Sequence, residues 1–434
     1  MTFLLFLSCV QQIKSPDEVS SENMSTAIQN DIPQEKEADK TTFQRQLMQP
    51  VMGINEAVSV PRALVLTNKV SPSEVKTWLE NEVSLTLNLG AQTVRANSHT
   101  YPYLNHHDAK LMGNWQSRMD VYVQLMQANN IEPIMVIGPW PGIQTASFTS
   151  HYLPDDMTRY VAWVSSVVER YDGDGTEDMP GLKTPIIYWE IDNEPDLHNH
   201  RPPRGRKQNT DPSQFETPSE YATVLKESSK AIRSANPSAK VIFGGLASVT
   251  NDHGKTYLKK VLEQPQTMDS FDIISVHSYI NKPVTKSIEM SYQIIRELVP
   301  LKPIWLTETG APSDGSKPWA TETKQAEVLF EIYTKGLQIG FDRIYWHTLR
   351  TPKVARGPFA SHGLLDSPST NNATKPAGEM YKALAPILSK SEWVSAPSLD
   401  FQSNLGSFQS ENEGGQNLVP TLKDIPKWAP STNP

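Results

Sequence analysis

Ile186-Ile187-Tyr188-Trp189-Glu190-Ile191-Asp192-Asn193-Glu194-Pro195 is an apolar run that breaks off into acids, an amide and a proline. Its first six residues read as a buried strand, and the polar remainder as the loop at that strand's C-terminal end. Ile304-Trp305-Leu306-Thr307-Glu308-Thr309-Gly310 has the same character: short, apolar, and closed by a glutamate. Amphipathic stretches long enough for helices separate these runs from their neighbours. That alternation is the pattern of βα units and a parallel sheet.

Eight such units can be read along the chain. The first strand falls at Gly53–Asn55, with Ala63–Thr67 as an alternative. A helix over 72–89 follows, where Ser71-Pro72-Ser73-Glu74 supplies a cap, a first-turn proline and an early acid. The later strands are Thr93–Ala96, Ile134–Gly138, Ile186–Ile191, Lys240–Gly244, Ile273–His277, Ile304–Thr307 and Arg343–His347. Their helices are 114–129, 155–171, 218–235, 255–263, 286–299, 321–338 and 375–388. Eight units predict a (β/α)₈ TIM barrel over residues 51–390. An open doubly wound sheet is the rival, but no glycine-rich phosphate loop opens any of these helices.

The flanks differ in composition. Residues 10–50 are polar and without period, and read as a disordered tether. Residues 391–434 form a polar tail, in which Trp393 and Trp428 are the residues able to pin it to the barrel. The local polarity of both ends explains a hydrophobic content of only 38%. Net charge is −8, and no Lys/Arg stripe runs along a helix, so a nucleic-acid partner is not expected. The single cysteine, Cys9, excludes an intrachain disulfide. It ends the run Phe3-Leu4-Leu5-Phe6-Leu7-Ser8, so residues 1–9 resemble the end of a bacterial lipoprotein signal, with lipidation at Cys9. That resemblance implies an extracytoplasmic, membrane-anchored protein, although no Lys or Arg precedes the run. An untidy N-terminus with a chance cysteine is the simpler alternative.

In a (β/α)₈ barrel the chemistry sits at the C-terminal ends of the strands. Those ends present Arg95 after strand two, Glu194 after strand four, His277 and Tyr279 after strand six, Glu308 after strand seven and Trp346 after strand eight. Strands four and seven lie across the barrel mouth from one another, which makes Glu194 and Glu308 a facing pair of carboxylates. Asn193-Glu194-Pro195, together with Glu308 in Thr-Glu-Thr-Gly, resembles the pattern of clan A glycoside hydrolases. The resemblance covers about residues 50–390 and is weakest at strand one.

The resemblance implies retaining hydrolysis of β-O-glycosidic bonds, with Glu194 as acid/base and Glu308 as nucleophile. It also implies that Arg95 holds the nucleophile ionised and that Asn193 bonds the sugar 2-hydroxyl. In the same way Tyr279 contacts the nucleophile, and Trp346 floors the subsite of the cleaved sugar. His277 joins the substrate-binding set, and the loop residues Trp140 and Trp319 are expected as sugar platforms. No cofactor is implied, and the partner is a carbohydrate. Strand alternation points Glu190, Asp192 and Glu194 inward together. Asn193 then needs a bulge to face the sugar, and Glu190 reads as a buried structural acid.

Weaker signals are of several kinds. Asp172-Gly173-Asp174-Gly175-Thr176-Glu177-Asp178 resembles the start of a calcium loop, but Lys183 stands where the twelfth-position Glu belongs, so a plain acidic turn is preferred. His106-His107 and His198-Asn199-His200 lack a third metal ligand at helical spacing. The basic stretch Arg201–Lys207 reads as a solvated loop, with an acidic sugar as the alternative contact. Two rival functions remain: an inactive barrel that binds glycans, and a metal-dependent barrel hydrolase. The second would need His or Asp ligands at several strand ends.

Overall fold

The computed structural model describes residues 43–45, 50–58, 72–95, 109–138, 153–154, 156–197, 218–279, 286–351, 359–389, 391–395 and 407–410. Cys9, Trp140, Trp428, both histidine clusters beyond strand ends, the basic stretch and the alternative first strand at 63–67 lie outside them.

Eight parallel strands close into a barrel. They are β1 (Met52–Asn55), β2 (Thr93–Arg95), β3 (Glu132–Ile137), β4 (Tyr188–Asn193), β5 (Lys240–Leu246), β6 (Ile273–Tyr279), β7 (Ile304–Gly310) and β8 (Arg343–His347). The barrel shuts where β1 pairs with β8, Gly53 opposite Tyr345 and Asn55 opposite His347. Among the described residues eight helices alternate with the strands: α1 (Pro72–Asn88), α2 (Ala109–Ala128), α3 (Met157–Glu169), α4 (Pro218–Ala235), α5 (Asp252–Leu262), α6 (Lys286–Leu298), α7 (Glu322–Ile339) and α8 (Pro376–Leu388). The expected (β/α)₈ order is therefore the observed one. The main boundary difference is α2, which starts five residues before the expected 114, directly after Asp108, a residue type favoured at helix N-caps.

Local chemistry sets the helix ends. Asp156 caps α3 by accepting from Arg159 N at 3.0 Å, and Asn251 caps α5 by accepting from Gly254 N at 2.7 Å. Helix α7 stops at Gly340, whose φ of +117° is open chiefly to glycine. The apolar faces of these helices and the outward faces of the strands share one large core.

Inside the barrel is a second, smaller cluster of Ile134, Ile242, Ile273, Trp305 and Tyr345. Arg343 enters it from the N-terminal end, its guanidinium 4.5 Å from the Trp305 ring and 4.8 Å from the Tyr188 ring, and pairs with Glu132. Gly53 makes this plug possible, since a Cβ there would sit 2.2 Å from Tyr345 Cδ1. The barrel is thus filled from below, and only its C-terminal end is free to hold a site.

The flanks contribute a few short strands among the described residues. Phe43–Arg45, Ser391–Ser395 and Ser407–Ser410 form a three-stranded antiparallel sheet in which Arg45 pairs with Trp393. These strands are three to five residues long, too short for an alternating pattern to stand out in the sequence.

Candidate active site

Three strands place the two glutamates by breaking their own regularity. In β4 the pairing with β5 keeps one register from Tyr188 to Asn193, so the expected bulge is absent. The backbone instead turns left-handed at Asp192 (φ +72°) and Glu194 (φ +54°). The Asp192 carboxylate folds back onto the Asn193 amide at 2.7 Å, a local bond that suits an Asp to this conformation. Asn193 and Glu194 consequently both reach the barrel mouth. In β7 the register shifts by one residue against both neighbours between Leu306 and Thr309. Without that bulge, alternation from inward Trp305 would point Glu308 away from the mouth. β5 is irregular as well, between Phe243 and Leu246, where Gly244 and Gly245 lie.

Glu308 is held from two sides. Arg95 Nη1 donates to its Oε1 at 2.9 Å, and Tyr279 Oη donates to its Oε2 at 2.5 Å. Burial pushes the Glu308 carboxyl up, but His277, Arg95, His347 and the Tyr279 hydrogen bond together bring it down to about 2. The Tyr279 hydroxyl moves the other way, well above its ordinary range, through burial and the adjacent Glu308 charge. It is therefore a donor at neutral pH.

Arg95 is itself buried and holds more than Glu308. Its Nε donates to Glu190 at 2.5 Å, Nη1 also to Asn55 at 3.0 Å, and Nη2 to Asn193 at 2.8 Å. Glu190 is fully buried, and its other oxygen accepts from the Gly245 amide at 2.8 Å and from Ser275 Oγ at 2.9 Å. A buried carboxylate with this many donors is a structural anchor for the arginine.

His277 has no exposed surface, so it does not stand ready for a sugar as expected. Its Nδ1 lies 3.1 Å from Glu194 Oε1 and 3.6 Å from Glu308 Oε2, bridging the two carboxylates. Burial lowers its pKa, but the Glu308 and Glu194 carboxylates outweigh that and leave it raised. The ring fits only because residue 245 is glycine, where a Cβ would meet His277 Nε2 at 2.2 Å.

Trp346 is the clearest correction. It is fully buried in the outer core, and its indole N–H donates to the His362 carbonyl at 2.8 Å. Tyr345 faces the barrel interior, so alternation sends Trp346 outward and brings His347 into the mouth. Trp319 is half-buried in the loop after β7, and none of the contacts made by Glu194 or Glu308 above involves it.

Residues that sequence reading passed over complete the site. Asn55 ends β1 and bonds His347 Nδ1 at 3.0 Å. Tyr279 packs against Phe359 with ring centroids 4.5 Å apart, and against His362 at 5.6 Å. Inward parity at strand ends could have found Asn55 and His347. Phe359, in a loop, carries no such signal.

The nearest ligand atoms of Glu194, His277 and Glu308 lie within 4.8 Å of one another. A cation there would share Glu308 with the Arg95 guanidinium, so the charges favour an acid and a nucleophile over metal ligation. Glu169, Asp172 and Asp174 make a second acidic cluster. In that loop Asp174 accepts from Thr176 N at 2.7 Å and Asp178 from Gly175 N at 2.8 Å, the bonding of an acidic turn.

A closed (β/α)₈ barrel with glutamates at its mouth after β4 and β7 is the arrangement that two-carboxylate glycoside hydrolysis needs. Residues 192–375 match the family model described as the glycosyl hydrolase catalytic core. No curated protein sequence matches the chain. Among solved structures it is similar to an endo-β1,6-glucanase (15% identity, TM-score 0.55, covering 85% of this chain and 83% of that one). It is also similar to a family 39 glycoside hydrolase from Bacteroides cellulosilyticus (16%, TM-score 0.51, 83% and 70%). A family 1 β-glucosidase from Thermotoga maritima is a third (11%, TM-score 0.52, 81% and 99%).

Proposed function

We propose that the chain is a retaining β-glycosidase in which Glu308 is the nucleophile and Glu194 the acid/base. The observation that carries this reading is the approach of the two carboxylates, whose nearest oxygens lie within 4.8 Å. Inverting enzymes keep their carboxyl groups roughly 6.5–9.5 Å apart to admit a water, whereas direct attack uses about 5–5.5 Å. Arg95 and Tyr279 keep Glu308 anionic, as a nucleophile must be. Glu194 is more open to solvent, its side chain 26% exposed, where it can exchange a proton with a leaving oxygen or a water.

In the first step a Glu308 oxygen bonds to the anomeric carbon, the glycosidic C–O bond breaks, and Glu194 passes its proton to the departing oxygen. In the second, Glu194 takes a proton from water, the water oxygen bonds to the anomeric carbon, and Glu308 leaves as carboxylate. The β-linkage is supported by the named activities of the similar endo-β1,6-glucanase and β-glucosidase. Proton NMR of the first-formed sugar tests the mechanism. Retention of the β-anomer is expected, and initial release of the α-anomer from a β-glycoside would refute it.

We also propose an extracytoplasmic location through lipid at Cys9, supported by the apolar run Phe3–Leu7 before it. Metabolic palmitate labelling, abolished in Cys9→Ser, is the expected result.

A further inference from the structure

His347 stands in the mouth at the end of β8, and its surroundings determine which of its nitrogens carries the proton. The reasoning starts at Arg95, a guanidinium that can only donate. Arg95 Nη1 lies 3.0 Å from Asn55 Oδ1, so that end of the Asn55 side chain is its carbonyl. The other end, Nδ2, must then be the NH₂ group, and it lies 3.0 Å from His347 Nδ1. An NH₂ group donates, so His347 Nδ1 must accept. In the neutral ring the proton therefore resides on Nε2, at the opposite edge of the imidazole.

That edge makes no hydrogen bond to any described residue, and the ring is half-buried. It is flanked edge-on by Tyr279 at 6.0 Å, the residue whose hydroxyl touches Glu308, and by Phe359 at 6.1 Å. Phe359 is 37% exposed and offers an apolar ring beside this donor.

We infer that His347 is a specificity-determining residue whose Nε2–H, oriented by Arg95 through Asn55, donates to a ring hydroxyl of the sugar bound at Glu308, with Phe359 as the apolar wall beside it. The inference rests on the glycosidase reading for its ligand, but the tautomer does not depend on that reading. A site built around a fixed donor discriminates strongly against sugars that lack the matching hydroxyl.

Two variants separate the donor from the ring. His347→Phe keeps the aromatic contacts and removes the N–H, whereas His347→Gln places an amide N–H near the position of Nε2–H. The probes are 4-nitrophenyl β-glycosides of glucose, xylose, galactose and mannose, with the monodeoxy analogues of the best substrate. His347→Phe is expected to lower kcat/KM about ten-fold or more on the fully hydroxylated sugar, and to leave one deoxy analogue unchanged relative to wild type. His347→Gln should recover most of the loss. Equal losses on every analogue would show a structural role only and overturn the proposal.

Long-range ¹⁵N–¹H spectra of ¹⁵N-histidine-labelled protein, with His347 assigned by its absence in His347→Phe, read the tautomer directly. A proton on Nδ1 would overturn the proposal whatever the activity. If no glycoside in the panel is cleaved, the catalytic reading fails separately. Titration with the iminosugar isofagomine then decides this one: a shifted His347 Nε2 signal supports the contact, and an unmoved one removes it.

Discussion

Arg95 and Glu308 stand 2.9 Å apart, Nη1 to Oε1, in a barrel mouth where burial alone would favour a neutral carboxyl on Glu308. The same guanidinium holds fully buried Glu190 through Nε. Arg95→Ala should therefore fail twice. Activity should drop by at least about 100-fold, because Glu308, the proposed nucleophile, loses its counter-charge. Stability should fall by about 3–5 kcal/mol, because Glu190 is left as an uncompensated buried charge. Urea denaturation beside kinetics checks both, and Arg95→Ala with Glu190→Gln should recover stability without recovering activity.

The two glutamates should fail in different ways. On the proposed mechanism Glu308→Ala removes the attacking oxygen, and should lower turnover by about 10⁴-fold or more on every substrate. Azide should restore turnover and give a glycosyl azide of inverted configuration. Glu194→Ala should spare activated aryl glycosides in the first step, giving a burst of phenol followed by slow turnover that azide accelerates to a retained product. Equal losses on good and poor leaving groups, with no rescue in either variant, would leave both role assignments without support.

Tyr279→Phe deletes one of the groups that lower the Glu308 carboxyl to about 2. Its pKa should rise toward the ordinary value of 4.5, and the acid limb of kcat/KM should move up with it. The sign for stability follows. Glu308 is depressed in the folded state, so its contribution is present above about 4.5 and is lost as pH falls toward about 2. Tyr279→Phe should narrow that window. A pH–rate profile with an unmoved acid limb would count against the hydrogen bond as a tuning contact.

His362 should make the barrel sensitive to milder acid. Burial, then the neighbouring His347 and Lys375, lower its pKa from 6.5 to about 3. Between those values the unfolded chain binds a proton that the folded chain refuses, so stability falls as pH drops from 6.5 toward 3. His277, whose pKa is raised, works in the opposite direction: its contribution is present below 6.5 and is lost as pH rises through the raised value. His362→Phe should flatten the difference in urea midpoint between pH 4 and pH 7. His277→Phe should not flatten it.

Much of this molecule could be read from its sequence, and the reason is periodicity. Strand and helix order follows from short apolar runs alternating with amphipathic ones, and β8 and α4 fall on the expected residues, Arg343–His347 and Pro218–Ala235. Glu194 and Glu308 announce themselves because each closes an apolar strand, and the C-terminal end of a barrel strand is where chemistry collects.

What the one-dimensional pattern could not supply is the direction in which a strand-end side chain points. Ideal alternation sends Glu308 away from the mouth, and only a one-residue shift against both neighbouring strands turns it in. Asn193 and Glu194 share the mouth through left-handed backbone at Asp192, not through the inserted residue that alternation suggested. Trp346 and His347 are different, because plain alternation from inward Tyr345 commits the tryptophan to the outer core and the histidine to the site, a parity the sequence did carry. Composition and spacing therefore determined the barrel and its pair of acids, since both depend on which residues recur and how far apart. The tertiary structure decided the contacts among Arg95, Asn55, Glu190, His277 and His347, because they join strands distant in sequence, where register and local backbone twist set which atoms meet.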